Sequence, residues 1–275
     1  MTKKIVVTGA TGNVGSHLVQ ALLDAGEEVT AVARRIVGTP PRAHTVAADL
    51  ADPPSLKPAL DGADAVFLLT AAGFLAGGDL VPVLDVVRAA GVRQVVLLSS
   101  QGVGTGRHPA HLEAAVLDSG LEATVLRGSG FATNALAWAA SVRADRTVAA
   151  PFGDVALPLV DPHDIAASAA AVLRGSGHGG RTYVLTGPRA ITPREQAAAI
   201  GAAIGEPVRF VEQTREQARA AMLAMLPAPV VESTLDILGA PTAEEQQVSP
   251  HVGELTGRAP RDFTEWAARS AAAFR

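Results

Sequence analysis

The stretch VVTGATGNVGSHLVQAL, residues 6–22, decides the fold because it joins an apolar run to a helical pattern through three glycines spaced three apart. A strand that leads into a helix through such a loop presents backbone N–H groups and the positive end of the helix dipole to an anion, usually a phosphate. We therefore predict that the loop binds the pyrophosphate of a dinucleotide. The predicted binding residues are Gly9, Thr11, Gly12, Asn13, Val14 and Gly15.

The three glycines have different expected roles. Gly9 permits a tight turn, Gly12 lets the ligand approach the backbone, and Gly15 lets the helix pack closely on the sheet. The following residues have helical periodicity, since Val14, Leu18, Leu22 and Leu23 share one face. The alternative interpretation is a strand-loop-helix corner that binds nothing.

Composition limits the classes of partner. The 275 residues include no cysteine, which excludes disulfides, cysteine-zinc sites and thiol catalysis. The net charge is −4 without basic clusters, unlike a nucleic-acid-binding protein. No run approaches the roughly 18 to 20 apolar residues of a membrane span, and the N-terminus has no signal-peptide pattern. We expect a cytoplasmic protein with a small-molecule substrate and no metal site, and the sequence leaves a homodimer open.

Apolar runs alternate with helical patterns along the chain. After the first strand, we predict strands over 27–35, 43–50, 64–71, 94–100 and 122–131. This order predicts an α/β fold with a doubly wound parallel (Rossmann) sheet. We assign residues 1–150 to an NAD(P)-binding core. Residues 151–275 are expected to complete the sheet and to form a small helix-rich substrate lobe.

The strand ends carry the other candidate cofactor residues, since ligands of such sheets bind outside the carboxyl ends of the strands. Arg34 and Arg35 end the second strand, where arginine accommodates the 2′-phosphate of NADP and a carboxylate repels it. They therefore favour NADPH, the alternative being two solvated charges. Asp49 either meets the adenine or forms a local cap or turn. The remaining candidates are Leu50, Thr70, Ala71 and Ser99.

The chain beyond residue 190 is rich in helical signals. TPREQAAAIGAAIG has Thr192 as an N-cap, with proline and glutamate in the first turn. VRFVEQ is a short predicted strand. The stretch 214–239 reads as two amphipathic helices broken at Pro227 and Pro229.

The ordered motifs resemble the NmrA-like branch of the atypical short-chain dehydrogenase/reductase family, and in particular its quinone-oxidoreductase-type members. The resemblance rests on TGATGNVGSHLV, AVARR, DLADPPSL, GADAVFLLT, VVLLSSQG, LEAAVLDSGLEATVLRGSGFATN and DPHDIAASAAAVL, and it continues to TGRAPRDFTEWAARSAAAF. It implies an NAD(P)-binding fold, usually preferring NADPH, with a C-terminal lobe that closes over a substrate cleft. The branch contains reductases and cofactor sensors without turnover.

Catalytic residues are poorly defined by the sequence. Ordinary members of the family use a Tyr-x-x-x-Lys pair, in which lysine lowers the tyrosine pKa for proton transfer. The single tyrosine, Tyr183, has no lysine four positions later, and the family alignment places Thr105 and Pro109 at the two positions. We therefore expect hydride transfer to an acceptor that needs little proton help, such as a quinone, or protonation through another group or water.

Several residues after the fifth strand are weak catalytic candidates. These are Ser100, Gln101 and His111, with His108 as a second imidazole, although strand-end serines and surface histidines have ordinary structural explanations. Glu113 matches a glutamate of the family helix, or else is a solvated charge on a helix face. Phe131 and Asn134 are candidate substrate contacts. Asp161 or Asp164, which opens an alanine-rich helix, is more readily a cap than a catalytic acid.

Two functions follow from these features. The first is an NADPH-dependent reductase of a quinone or another small carbonyl-type compound, favoured by the arginine pair and the resemblance. The second is a redox sensor that binds NAD(P) and a protein partner without turnover, favoured by the missing tyrosine–lysine pair.

Overall fold

The computed structural model describes residues 2–70, 74, 77–224 and 226–275. Its strands are β1 (Lys4–Thr8), β2 (Glu28–Ala33), β3 (His44–Ala47), β4 (Ala65–Leu69), β5 (Gln94–Ser100), β6 (Glu122–Gly128), β7 (Thr147–Pro151), β8 (Arg181–Leu185) and β9 (Arg209–Gln213). Seven of them form a parallel sheet with the order β3-β2-β1-β4-β5-β6-β8, which confirms the doubly wound α/β fold.

The helices of the described residues cover the sheet and form most of the C-terminal region. They are α1 (Gly15–Asp24), α2 (Lys57–Leu60), α3 (Val81–Ala89), α4 (Gln101–Gly104), α5 (His111–Leu117), α6 (Ala139–Asp145), α7 (Pro162–Arg174), α8 (Pro193–Ile204), α9 (Arg215–Met222), α10 (Ala228–Gly239), α11 (Ala243–Gln246), α12 (His251–Thr256) and α13 (Phe263–Arg269). In the part of the chain described, no helix has the length and apolar character that crossing a membrane requires.

Strand β1 shows how the sequence builds two cores. Because successive side chains of a strand point to opposite faces, Ile5 and Val7 pack with α1 and α7 on one face. Val6 points to the other face, where it joins the core formed with α3 and α5. Both faces are covered, and β1 therefore reads as a continuous apolar run.

The C-terminal region has a separate core, in which Trp266 and Phe274 pack with Ile200 of α8 and Val148 of β7. Strand β9 confirms the strand predicted at VRFVEQ. Its partner β7 was not predicted. The two form a parallel pair outside the main sheet, with Thr147 opposite Arg209.

Several predicted boundaries were too wide. The second, third, fourth and sixth strands of the sheet end at Ala33, Ala47, Leu69 and Gly128. The predicted break at Pro229 is also wrong, because this proline lies in the first turn of α10, where a missing N–H costs no helical hydrogen bond. Thr192 forms the predicted cap, within a capping box with Glu195.

Candidate active site

The glycine loop has the geometry that its spacing predicted. Gly9 has a φ of +64°, and its carbonyl oxygen accepts a hydrogen bond from the Gly12 N–H at 2.9 Å. A Cβ on Gly15 would lie 2.2 Å from that same carbonyl oxygen, so only glycine lets α1 start this close to the loop. A Cβ on Gly12 would meet it at 3.3 Å, so the tightest steric requirement is at Gly15.

The start of α1 is suited to an anion. It has no side-chain cap and no acidic residue in its first turn. The backbone N–H groups of Thr11, Asn13 and Val14 donate to no acceptor among the described residues. These donors, with the positive end of the helix dipole, are the groups that a nucleotide phosphate would require at this loop.

A cleft of about 1980 Å³ extends from this loop across the carboxyl ends of β1, β2 and β4. It is lined by seven of the predicted cofactor residues, namely Gly9, Thr11, Gly12, Arg34, Arg35, Asp49 and Leu50. Asn13, Val14, Gly15, Thr70 and Ser99 are not among its lining residues, and Val14 is buried in the core. Ala71 lies outside the described residues.

The arginine pair and Asp49 give the cleft its charges. Arg34 and Arg35 are exposed just beyond β2, and within the described part of the chain neither has a carboxylate partner. The Asp49 carboxylate accepts a hydrogen bond from the Ala51 N–H at 3.0 Å, which is the turn contact offered as its alternative role. Asp49 thus forms this turn while lining the cleft.

Sequence reasoning missed the part of the wall that β1 and β4 form together. The Thr8 hydroxyl donates to the Phe67 carbonyl at 3.0 Å and accepts from the Leu69 N–H at 2.8 Å. Thr8 thereby ties the two strand ends together beneath the loop. The sequence feature that could have identified Thr8 is its position as the last residue of β1, directly before Gly9.

A buried polar cluster lies beside the end of β5. The Ser99 hydroxyl donates to Glu113 at 2.5 Å, and Arg127 of β6 donates to the same carboxylate from Nε and Nη2, the latter at 2.7 Å. Glu113 is 4% exposed, so the interpretation as a solvated helix-face charge is wrong. The hydrogen bond to Glu113 holds the pKa of Arg127 above its ordinary value.

The three weak catalytic candidates have different surroundings. Ser100 accepts a hydrogen bond from the Gly102 N–H at 3.1 Å and lies 3.0 Å from His108 Nδ1. Gln101 is buried, and its amide donates to the Glu244 carbonyl at 3.1 Å. His111 is exposed, with Nε2 3.2 Å from the carbonyl oxygen of Gly78, a residue of the cleft.

The positions aligned with the family's tyrosine and lysine hold no phenol. The Thr105 hydroxyl donates to Glu245 at 2.7 Å, and Glu245 is 2% exposed. Tyr183 lies instead on β8, where its hydroxyl is 2.8 Å from His178 Nδ1. The C-terminal segment that carries Glu245 therefore contacts the loop after β5.

The remaining candidates lie toward the C-terminal region. Phe131 packs against the core, its ring close to Gly128, and Asn134 is exposed; neither lines the large cleft.

Asp161 caps α7 by accepting from the His163 N–H at 2.9 Å, which confirms the cap interpretation. Burial works to raise the pKa of Asp161, but hydrogen bonds from His163 and the charge of Arg269 keep it below its ordinary value.

Comparison with known proteins agrees with this geometry. The model of a family described as NAD(P)H-binding matches residues 9–174, which include the glycine loop and the arginine pair. The chain belongs to this NAD(P)H-binding family. A (4-alkanoyl-5-oxo-2,5-dihydrofuran-3-yl)methyl phosphate reductase of Streptomyces griseus is 41% identical over 98% of this chain and 99% of its own length.

Two further matches cover nearly all of this chain and nearly all of the matched protein. An NAD(P)H azoreductase of Xenophilus azovorans is 33% identical over 98% of this chain and 99% of its own length. The structure of an NADPH-dependent quinone oxidoreductase of Escherichia coli in complex with NADPH is 25% identical, covers 96% of this chain and 99% of that one, and gives a TM-score of 0.79. The protein is an NAD(P)H-dependent oxidoreductase.

Proposed function

We propose that this protein transfers a hydride from NADPH to a quinone or another small conjugated carbonyl compound, without a tyrosine–lysine pair. The observation that carries the proposal is the large cleft, which joins the open N–H groups of the glycine loop to two arginines without carboxylate partners among the described residues. When bound, the reduced nicotinamide supplies the hydride. The chain's task is to hold the cofactor phosphates and to place the acceptor beside the strand ends.

The preference for NADPH rests on Arg34 and Arg35. Both are exposed at the end of β2 and line the cleft. A guanidinium offers paired N–H donors that match a phosphate. Since NADP differs from NAD by the ribose 2′-phosphate, an arginine pair at this position selects the phosphorylated cofactor.

The acceptor class follows from the groups beside β5. The only tyrosine is on β8, and the Thr105 hydroxyl at the aligned position already donates to Glu245. A simple ketone gains a localised alkoxide when hydride arrives and therefore needs an acid. In a quinone or an enone the negative charge spreads onto a conjugated oxygen, so a hydrogen-bond donor is sufficient.

The relatives' names fit this class of acceptor. The name of the Streptomyces griseus reductase describes a dihydrofuranone ring whose double bond is conjugated with the ring carbonyl and with the alkanoyl carbonyl. The Escherichia coli protein is a quinone oxidoreductase. Both names describe conjugated acceptors, and neither describes an isolated ketone.

The test is a turnover assay with matched acceptors. Purified protein is mixed with NADPH or NADH and with naphthoquinone, an alkanoyl dihydrofuranone, or a saturated ketone of similar size, and the loss of reduced-nicotinamide absorbance is followed. We expect turnover of the conjugated acceptors with NADPH and little turnover of the ketone.

A pair of glycine variants controls this assay. Gly12→Asp places a carboxylate where the loop is expected to receive phosphate, and should abolish turnover. Gly179→Asp makes the same change at a glycine whose nearest neighbour, Glu122, is 3.8 Å from the added Cβ, and should retain turnover. Tight binding of NADPH without turnover of any acceptor would contradict the reductase and favour the redox sensor.

A further inference from the structure

The loop between β5 and α5 holds a hydroxyl–imidazole pair whose geometry is built into the backbone. The N–H groups of Arg107 and His108 both donate to the Gly102 carbonyl, at 2.8 and 2.9 Å, and so fold the loop back on itself. This fold brings His108 Nδ1 to 3.0 Å from the Ser100 hydroxyl. A Cβ on Gly102 would lie 2.7 Å from His108 Nδ1, so glycine is required to make room for the ring.

The position of the imidazole proton can be assigned from its surroundings. Burial lowers the pKa of His108, against the opposing charge of Glu245, so the ring is neutral at neutral pH and carries one N–H. Its Nε2 atom is buried and has no hydrogen-bond partner among the described residues. Because buried N–H groups without an acceptor are rarer than buried acceptors without a donor, we place the proton on Nδ1.

This assignment leaves the Ser100 proton free. A serine hydroxyl has two acceptor lone pairs and one O–H donor. The Gly102 N–H occupies one lone pair at 3.1 Å, and the His108 Nδ1–H occupies the other. The O–H must therefore donate to a third group, and within the described residues no further partner of this hydroxyl is found. Two N–H donors on the oxygen also make its proton a stronger donor.

The pair lies at the carboxyl end of β5, next to a strand that ends in the cofactor cleft. Ser100 is the last residue of β5, whose neighbour β4 ends in the wall of the cofactor cleft at Leu69. On the other side, the C-terminal segment contacts the same loop through Glu244 and Glu245. The Ser100 hydroxyl thus stands between the cleft and the C-terminal region.

We propose that His108 is a positioning residue for the reduction: by donating from Nδ1 to Ser100, it directs the Ser100 O–H to the carbonyl oxygen of the acceptor. The inference rests on the proposed function for its conjugated acceptor. The hydride forms a new C–H bond at the acceptor carbon, the displaced π-electron pair moves onto the carbonyl oxygen, and the Ser100 O–H stabilises that charge. NADPH is oxidised to NADP⁺, and the reduced acceptor takes its proton from water.

If His108 acts as a donor, a substituted side chain that keeps an N–H should restore activity, whereas a side chain that only fills the space should not. Asparagine carries a side-chain N–H close to the position of Nδ1, whereas leucine fills space without a donor. We expect Ser100→Ala to lower kcat about 100-fold, the effect of one donor to a developing oxyanion. His108→Leu should lower it about fivefold or more, and His108→Asn should recover most of the loss.

A binding experiment without cofactor tests the same contact. Naphthoquinone and naphthalene share one ring system, and only the first has carbonyl oxygens. By calorimetry, Ser100→Ala should reduce the preference for naphthoquinone about fivefold. Ser176→Ala is the matched control, because this exposed serine precedes β8, away from the carboxyl ends of the strands, and should keep the wild-type preference.

The outcomes separate this inference from the proposed function. Wild-type turnover of naphthoquinone combined with full kcat and an unchanged preference in Ser100→Ala would overturn the inference and leave the reductase intact. Equal losses in His108→Leu and His108→Asn would overturn the donor role of the imidazole. A preference that depends on Ser100 in a protein that turns over no acceptor would support the contact and contradict the reductase.

Discussion

The guanidinium of Arg127, near the end of β6, forms a two-point ion pair with the carboxylate of Glu113 on α5. Glu113 is 4% exposed, and the Ser99 hydroxyl donates to it as well. Ser99 and Arg127 are also paired across β5 and β6. The pair therefore fixes α5 against the strand ends that bear Ser100.

Removing the arginine should destabilise the fold more than neutralising the glutamate. Arg127→Met leaves a buried carboxylate with no counter-charge, and we expect a loss of about 3–5 kcal/mol in the free energy of unfolding. Glu113→Gln leaves the more exposed partner unpaired and keeps an acceptor for Ser99, so its loss should be smaller. Urea denaturation measures both. A double variant that is no more stable than Arg127→Met would argue against coupling between the two residues.

The cofactor preference should depend on Arg34. Arg34→Glu replaces a phosphate-binding guanidinium at the cleft with a repelling carboxylate. We expect the ratio of NADPH to NADH affinity to fall by roughly 10-fold to 100-fold, since a hydrogen bond to a charged group contributes about 1.5–3 kcal/mol. Titration of each cofactor measures the ratio. Arg181→Glu makes the same charge change at the start of β8 and should leave the ratio unchanged; an unchanged ratio in Arg34→Glu would exclude the proposed contact.

Two glycines of the loop should respond differently to alanine. A Cβ at residue 15 lies 2.2 Å from the Gly9 carbonyl oxygen, so Gly15→Ala must displace backbone and should cost about 3 kcal/mol of stability. At Gly12 the corresponding distance is 3.3 Å, and Gly12→Ala should fold while binding NADPH more weakly. Thermal unfolding and cofactor titration, applied to both variants, separate packing from ligand approach. Equal stability losses in the two variants would contradict the assignment of helix packing to Gly15 and of ligand approach to Gly12.

The sheet and the glycine loop at its edge were predictable because they depend on local signals. Strand β1 is a continuous apolar run, and the loop after it carries its glycines at fixed positions, so periodicity and spacing were sufficient. Strand β7 gave little signal, because TVAAP is short, contains proline and pairs with a strand about sixty residues later. Its formation depends on that distant partner, which a local pattern does not contain.

The contacts of the polar groups after β5 were also not predictable from local sequence, because they depend on distant residues. Sequence placed Glu113 on a helix, but its burial depends on Arg127 from another strand. Likewise, Thr105 and Glu245 meet across 140 residues. His111 was chosen over His108 as a catalytic candidate, and only the folded loop shows that the imidazole beside Ser100 is His108.

His17 of α1 stacks on His163 of α7, with ring centroids 3.6 Å apart. Burial, followed by the charge of His163, lowers the pKa of His17 from its ordinary value of 6.5, although Asp161 opposes the shift. The unfolded chain therefore binds the proton more readily than the folded protein. Stability should be lost as the pH falls through 6.5, and the loss should end once the pH is below the lowered folded pKa.

His17→Gln should flatten this dependence, because it removes the group that the folded state holds unprotonated. We expect the free energy of unfolding of the wild type to fall more steeply than that of the variant between about pH 7 and pH 5. His108, whose pKa is also lowered by burial, adds a loss of the same sign to both proteins and cancels in the difference. Parallel slopes for His17→Gln and wild type would show that the stacked pair does not couple folding to protonation.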